Sequence, residues 1–220
     1  MDISGSLPDN FPLAGQRCVS ANCIAGGHRL RGIPDKSVAR DTETMRAVEL
    51  RILDQPALAE LSEAPERYAA TQALVLTPHA DLVQAVARQT RSFVQQGGIC
   101  APWGGYLAVD PVTRIVVGTC AFKGPPDVRG EVEVAYFTFP THEGRGYATA
   151  MAGALCDRAA GSIGVKRVRA HTLPERNASV RVLEKLGFRW DGDVQDPEDG
   201  PVWRWVWQVP AARSSVPTSA

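Results

Sequence analysis

From about residue 45 to residue 209 the apolar positions follow two spacings, every second residue in some stretches and every third to fourth in others. These are the periods of strands and helices. Ala47-Val48-Glu49-Leu50-Arg51-Ile52-Leu53 has strand character, Gln55 to Leu61 and Glu66 to Leu74 read as short helices, and Ala80 to Val94 as a longer one. Gly105 to Asp110 and Arg114 to Phe122 read as strands joined by a turn at Pro111-Val112-Thr113. A third strand runs from Glu131 to Phe139 and is ended by Pro140. From Gly146 the period changes: Ala148, Met151, Ala152, Leu155 and Ala159 fall on one helical face. Val165 to Ala170 is a short strand, Ala178 to Leu186 a helix capped by Gly187, and Val202 to Val209 a closing strand. Antiparallel strands followed by strand–helix–strand–helix–strand predict an α/β (α+β) domain. Its central sheet is mixed and mostly antiparallel, with helices on both faces.

The ends of the chain lack such periods. Residues 1–44, rich in Gly, Pro, Ser and Asn, read as an irregular N-terminal extension, residues 45–209 as the folded domain and 210–220 as a flexible tail. With 220 residues, 44% of them hydrophobic, the chain suffices for one domain with a sizeable core. Lys plus Arg and Asp plus Glu both number 24, and this balance argues against a dedicated nucleic-acid binder. The five cysteines (Cys18, Cys23, Cys100, Cys120, Cys156) are scattered with no C-x-x-C, the pattern of reduced thiols in a cytoplasmic protein. Cys18, Cys23 and His28 lack a matching fourth ligand, so no metal is expected. No stretch approaches the roughly 18 apolar residues of a membrane helix.

Candidate chemistry concentrates where strand 131–139 turns into the helix opening at Gly146. Gly144 and Gly146 let backbone approach a ligand without a Cβ in the way. The helix N-terminus presents N–H groups and partial positive charge, which suits phosphates, and Arg145 can add a cation. Neither a P-loop nor a dinucleotide fingerprint is present. Gly-Arg-Gly by itself is equally an ordinary glycine-capped turn.

The wider context is more specific. Glu133-Val134-Ala135-Tyr136-Phe137-Thr138-Phe139-Pro140, followed by Glu143-Gly144-Arg145-Gly146-Tyr147-Ala148-Thr149, resembles the acetyl-CoA signature of the GNAT superfamily of N-acetyltransferases. Pro174 to Phe188 resembles that superfamily's closing helix. The similarity spans about Met45 to Val209 and is closest to the Rim-type branch, which acetylates N-termini of ribosomal proteins. It implies a GNAT fold and acetyl-CoA as co-substrate. Backbone amides from Arg145 to Thr149 would cradle the pyrophosphate, and Phe137, Thr138 and Phe139 would pair with the pantetheine arm. In the second motif Arg176 stands at the column the family usually fills with Asn, with Asn177 one place on, and both are expected on the cofactor side. Two further positions depart from the pattern: Glu143 stands where the family has Gln or Arg, and Leu183 stands where many relatives place a tyrosine acid.

Acetylating an amine requires its neutral form. A lysine-type amine is neutral in about one molecule in a few thousand at pH 7, an α-amine in about one in ten. Glu133, a few residues before the proposed thioester position, is the candidate general base. Alternation places Glu131, Glu133 and Phe137 on one face, with Glu131 in reserve. Both carboxylates read equally as ordinary solvated strand residues. Ser179 is the candidate proton donor to the leaving thiolate, and also a typical helix-start hydroxyl. His142 and His171 flank the site without an assigned role. Trp203, Trp205 and Trp207 share one strand face and are expected to pack against a helix, an acceptor wall being the other reading. The expected activity is acetyl transfer from acetyl-CoA to a primary amine by direct attack on the thioester. The acceptor would be a small-molecule amine or a protein N-terminus, with no nucleic acid and no membrane, and a homodimer is compatible with the sequence. A catalytically degenerate domain that senses or scaffolds acyl-CoA is the alternative, and a Cys-His acyltransferase using Cys120 or Cys156 a further one.

Overall fold

In the computed structural model the described residues are 46–99, 101–197 and 199–210. The expected extension (1–44) and tail lie, but for Pro210, outside them, as do Cys18, Cys23, His28 and Cys100.

The first half of the domain is a strand, three helices and two strands: β1 (Glu49–Ile52), α1 (Gln55–Glu63), α2 (Pro65–Thr71), α3 (Ala80–Gln95), β2 (Gly105–Val109) and β3 (Val116–Phe122). Asp54 starts α1 by accepting the Ala57 N–H at 3.0 Å. Pro65 opens α2, because a missing N–H costs nothing at a helix start, and Ala73 in the left-handed region (φ 50°) follows its end. α2 is therefore shorter than the sequence predicts, and Val75 leaves it to bridge Ile115.

β4 (Glu131–Thr138) runs into a single 3-10 turn, Pro140–His142, and then α4 (Tyr147–Ala160). β5 (Arg167–Thr172), α5 (Ala178–Lys185), β6 (Arg189–Asp196) and β7 (Gly200–Gln208) complete the fold. α5 ends in a Schellman motif: Gly187 (φ 83°) follows the cap, and Phe188 N–H bonds Leu183 C=O at 3.0 Å. Leu183 and Phe188 are both buried in one cluster, the apolar contact that accompanies this cap.

The seven strands lie in the order β1-β2-β3-β4-β5-β7-β6, parallel only between β4 and β5. One face packs on α1–α3 through Leu58, Leu61, Val83, Leu107, Val109, Phe137 and Phe139. The other packs on α4 and α5 through Tyr106, Val134, Met151, Leu155, Val168, Leu183 and Trp205. The expected mixed sheet with helices on both faces is the fold observed.

β6 is the element the sequence does not predict. Its residues are mostly polar and exposed, so they carry no apolar period. It forms as an edge strand through its ladder to β7, with a bulge between Trp190 and Gly192. The tryptophans of β7 take the core reading: Trp205 is buried and donates to Thr172 Oγ1 at 3.1 Å, and Trp203 and Trp207 pack against the same cluster.

Candidate active site

The site is created by two strands that part. β4 and β5 pair only at Glu131–Arg167, Val132–Val168 and Glu133–Arg169, and beyond these they diverge. β4 stays paired to β3 as far as Thr138. Lys123 N–H bonds Glu133 C=O and Phe139 N–H bonds Val117 C=O, both at 2.9 Å, so odd-numbered backbone groups of β4 face β3. By alternation those of Tyr136 and Thr138 face the wedge toward β5. The wedge deepens into a cleft lined by Tyr136, Phe137 and Thr138 on one side, the 142–149 turn at its end, and Ala178, Ser179, Arg181, Val182 and Lys185 of α5 on the other.

At the end of the cleft the backbone turns through Gly144 (φ 69°) and Gly146 (φ 83°), left-handed conformations that a side chain disfavours. Nothing lies within 4 Å of a Cβ added at Gly144, so ligand atoms have room there. The first intrahelical bond of α4 runs from Ala150 N–H to Gly146 C=O at 3.1 Å. The N–H groups of Tyr147, Ala148 and Thr149 precede it and present an anion-binding helix end. Arg181 and Lys185, one turn apart on α5, add two cations to the same cleft. This donor set fits a diphosphate with an extended arm along β4.

The predicted residues divide. Thr138, Glu143, Gly144, Gly146, Tyr147, Ala148, Thr149 and Ser179 line the cleft together, and Phe137 reaches its wall. Phe139 is fully buried against α3, turned from the cleft. Arg145 is exposed and outside the lining, and it forms no ion pair with Glu143 among the described residues. Burial pushes the Glu143 pKa up. Asn177 is spent as the N-cap of α5, accepting Val180 N–H at 3.0 Å. Arg176 turns to Glu184 at 3.4 Å, away from the cleft. Tyr136, Arg181 and Lys185 lie inside the quoted motifs but carry no role in the sequence reading. Arg181 and Lys185 stand on the polar face of an amphipathic helix, and only the packing of α5 on α4 turns that face to the cleft.

Ser179 is 3% exposed, yet its hydroxyl makes no hydrogen bond to the described residues and opens on the cleft. Glu133 sits otherwise. Its carboxylate touches Lys123 Nζ at 2.7 Å, Arg169 Nε at 2.9 Å and His171 Nδ1 at 3.3 Å. Burial pushes its pKa up, but the adjacent His171 imidazole and the Lys123 ammonium outweigh that and hold it well below the usual range. A carboxylate so held has little proton affinity, so its expected service as the base receives no support from this geometry. Glu131 is likewise paired, to Arg167 at 3.3 Å and Arg169 at 3.0 Å.

A second network fastens the cleft's end. Tyr147 Oη donates to Asp110 Oδ2 at 2.6 Å, and Asp110 Oδ1 accepts the Val112 and Thr113 N–H groups at 3.0 and 2.9 Å. The β2–β3 turn is thus tied to the first turn of α4. Arg46 stacks over the Tyr147 ring at 5.2 Å. Burial pushes the Asp110 pKa up, yet the bonds from Thr113, Tyr147 and Val112 bring it down to about 2.

Cys156 is buried and its thiol pushed up to about 12 by burial, which removes the thiolate a covalent route needs. Among the described residues no His/Cys/Asp/Glu cluster could hold a metal, and no helix is long and apolar enough to cross a membrane.

Known proteins agree with this architecture. The chain is 27% identical over 155 residues to the uncharacterized N-acetyltransferase p20 of Bacillus licheniformis, covering 70% of this chain and 83% of that protein. Among solved structures it is similar to RimL, a ribosomal L7/L12 α-N-protein acetyltransferase in complex with coenzyme A. That match has a TM-score of 0.52 and 16% identity and covers 74% of this chain and 94% of RimL. It is similar also to aminoglycoside acetyltransferase AAC(6')-Ib in complex with ribostamycin and coenzyme A, with a TM-score of 0.53 and 20% identity over 79% of this chain and 99% of that one. The Rim type is thus one of several acceptor classes on this fold. Residues 44–189, well over half of the sequence, match the acetyltransferase (GNAT) domain family, and the chain belongs to that family.

Proposed function

We propose that the protein transfers an acetyl group from acetyl-CoA to a primary amine by direct attack on the thioester. The observation that carries this is the wedge between β4 and β5, which opens onto the glycine turn and the N-terminus of α4. The N–H groups of Tyr147, Ala148 and Thr149 hold the pyrophosphate, with Arg181 and Lys185 facing it. Tyr136 and Thr138, whose backbone faces the wedge, line the pantetheine arm, and the Tyr136 N–H polarises the thioester carbonyl. The tetrahedral collapse expels a thiolate, which Ser179 protonates. The acceptor is a small-molecule amine or a protein N-terminus. The Rim-type likeness makes a peptide with a free N-terminus the first acceptor to try.

Calorimetry gives the test. Acetyl-CoA binds saturably to the protein, and Gly146→Trp, which fills the turn and strains a left-handed residue, abolishes that binding. Unchanged affinity in the folded variant moves the cofactor elsewhere. Thiol release on addition of spermidine, ribostamycin or an alanine-initiated peptide then separates a transferase from a domain that only senses acyl-CoA.

A further inference from the structure

The proposed reaction still needs a base for the acceptor ammonium, and Glu133 is locked among cations. The strands place one other titratable group at the same level. His171 lies on β5 two residues past Arg169, the last residue paired to β4, and so stands level with Ala135, one residue short of Tyr136. Odd-numbered positions of both strands share a face, so His171 projects on the side of Glu133, opposite to α4. The cleft assigned to the cofactor is walled by residues of α4 and α5, which leaves the opposite face of the wedge to the acceptor.

His171 Nδ1 is buried with no hydrogen bond of good alignment, and the polar atom it faces is Glu133 Oε1, 3.3 Å away. The ring as a whole keeps 14% exposure, and its Nε2 makes no hydrogen bond among the described residues. The other charges around it are already engaged. Lys123 and Arg169 bind Glu133, and Arg204, opposite His171 on β7, is held by Asp191 of β6 at 2.6 Å.

The geometry points to His171 as the general base for the acceptor amine, with Glu133 as the positioning residue that fixes its Nδ1–H tautomer. This rests on the acetyl-transfer reading above. The 3.3 Å separation closes by a small ring rotation, as catalytic hydrogen bonds often do when substrate binds. Nε2 takes one proton from the acceptor ammonium. The neutral amine attacks the thioester carbon, the N–C bond forms and the C–S bond breaks. A second amine proton passes to the sulfur through Ser179 or water, leaving amide and free CoA thiol, and the imidazolium returns its proton to solvent. Glu133 stays ionised throughout, the role a carboxylate plays behind a catalytic histidine. Lys123 and Arg169 keep it in that state.

The test combines kinetics with a measurement that needs no acceptor. On whichever of spermidine, ribostamycin or an alanine-initiated peptide turns over, His171→Gln lowers kcat about 10²–10⁴-fold at pH 7 with acetyl-CoA affinity unchanged. The deficit shrinks as pH rises and the amine deprotonates unaided. Glu133→Gln costs a comparable factor, and the double variant little more than the worse single one, because the pair acts as a unit. A loss under about threefold in folded His171→Gln across pH 6 to 9 overturns the proposal. Nitrogen-15 NMR of the imidazole provides the second arm: the neutral ring is the Nδ1–H tautomer in the protein and loses that preference in Glu133→Ala. An Nε2–H tautomer in the unaltered protein overturns the dyad. If no acceptor turns over while acetyl-CoA binds, the transfer reading fails, and the tautomer still decides the dyad.

Discussion

Tyr147 begins α4, so its hydroxyl contact governs how rigidly the phosphate-binding end of that helix is held. Replacing it with Phe keeps the ring and the Arg46 stacking but removes the donor at 2.6 Å from Asp110 Oδ2. The magnitude follows from the carboxyl itself. Its pKa falls from 3.8 to about 2 on folding, worth about 2.4 kcal/mol at 1.36 kcal/mol per pH unit. That is the net of burial, which opposes, and the bonds from Thr113, Tyr147 and Val112. The share of Tyr147 is then about 1–2 kcal/mol, at the lower end for a hydrogen bond to a charged group. A double-mutant cycle of Tyr147→Phe with Asp110→Asn, followed by urea denaturation at pH 7, should return a coupling of that size. The sign with pH is set by the direction of the shift. A depressed folded pKa contributes stability above the unfolded value, lost as pH falls through the folded one. The gap between the protein and Tyr147→Phe should therefore hold from pH 8 to about 4 and narrow toward pH 2. A coupling below about 0.3 kcal/mol, or a gap unchanged at low pH, would mean that ring packing and not the carboxylate holds the helix end.

Two further outcomes follow from packing. A Cβ at Gly118 would lie 2.2 Å from the Phe137 carbonyl oxygen, a backbone atom that cannot rotate away, so Gly118→Ala should destabilise by about 3 kcal/mol in urea denaturation. A variant within about 0.5 kcal/mol of the parent would show that β3 and β4 part more readily than their register suggests. A chain beginning at Met45 should keep its cooperative melt and its acetyl-CoA affinity, because residues 1–44 hold no periodic apolar surface to bury; loss of soluble protein would place them in the core.

The sequence by itself determined the elements whose information is local. The 3.6-residue period of Met151, Ala152, Leu155 and Ala159 wrote α4, Gly187 wrote the end of α5, and Gly144 and Gly146 wrote the turn that a phosphate can approach. Local chemistry also singled out Ser179, which lines the cleft. What it left out is non-local. β6 has no apolar alternation, because an edge strand is held by a backbone ladder to β7 and its side chains face water. Nor does the motif show that Asn177 accepts Val180 N–H or that Arg176 meets Glu184, since these contacts depend on how the helix forms and turns. The setting of Glu133 was out of reach altogether: alone on a strand it is a candidate base, and the β4–β5 junction brings to it the charges of Lys123 and Arg169 and the ring of His171. The same junction sets His171 behind it. Periodicity is a property of neighbours in the chain, whereas proton affinity is a property of neighbours in space, and only the tertiary fold decides those.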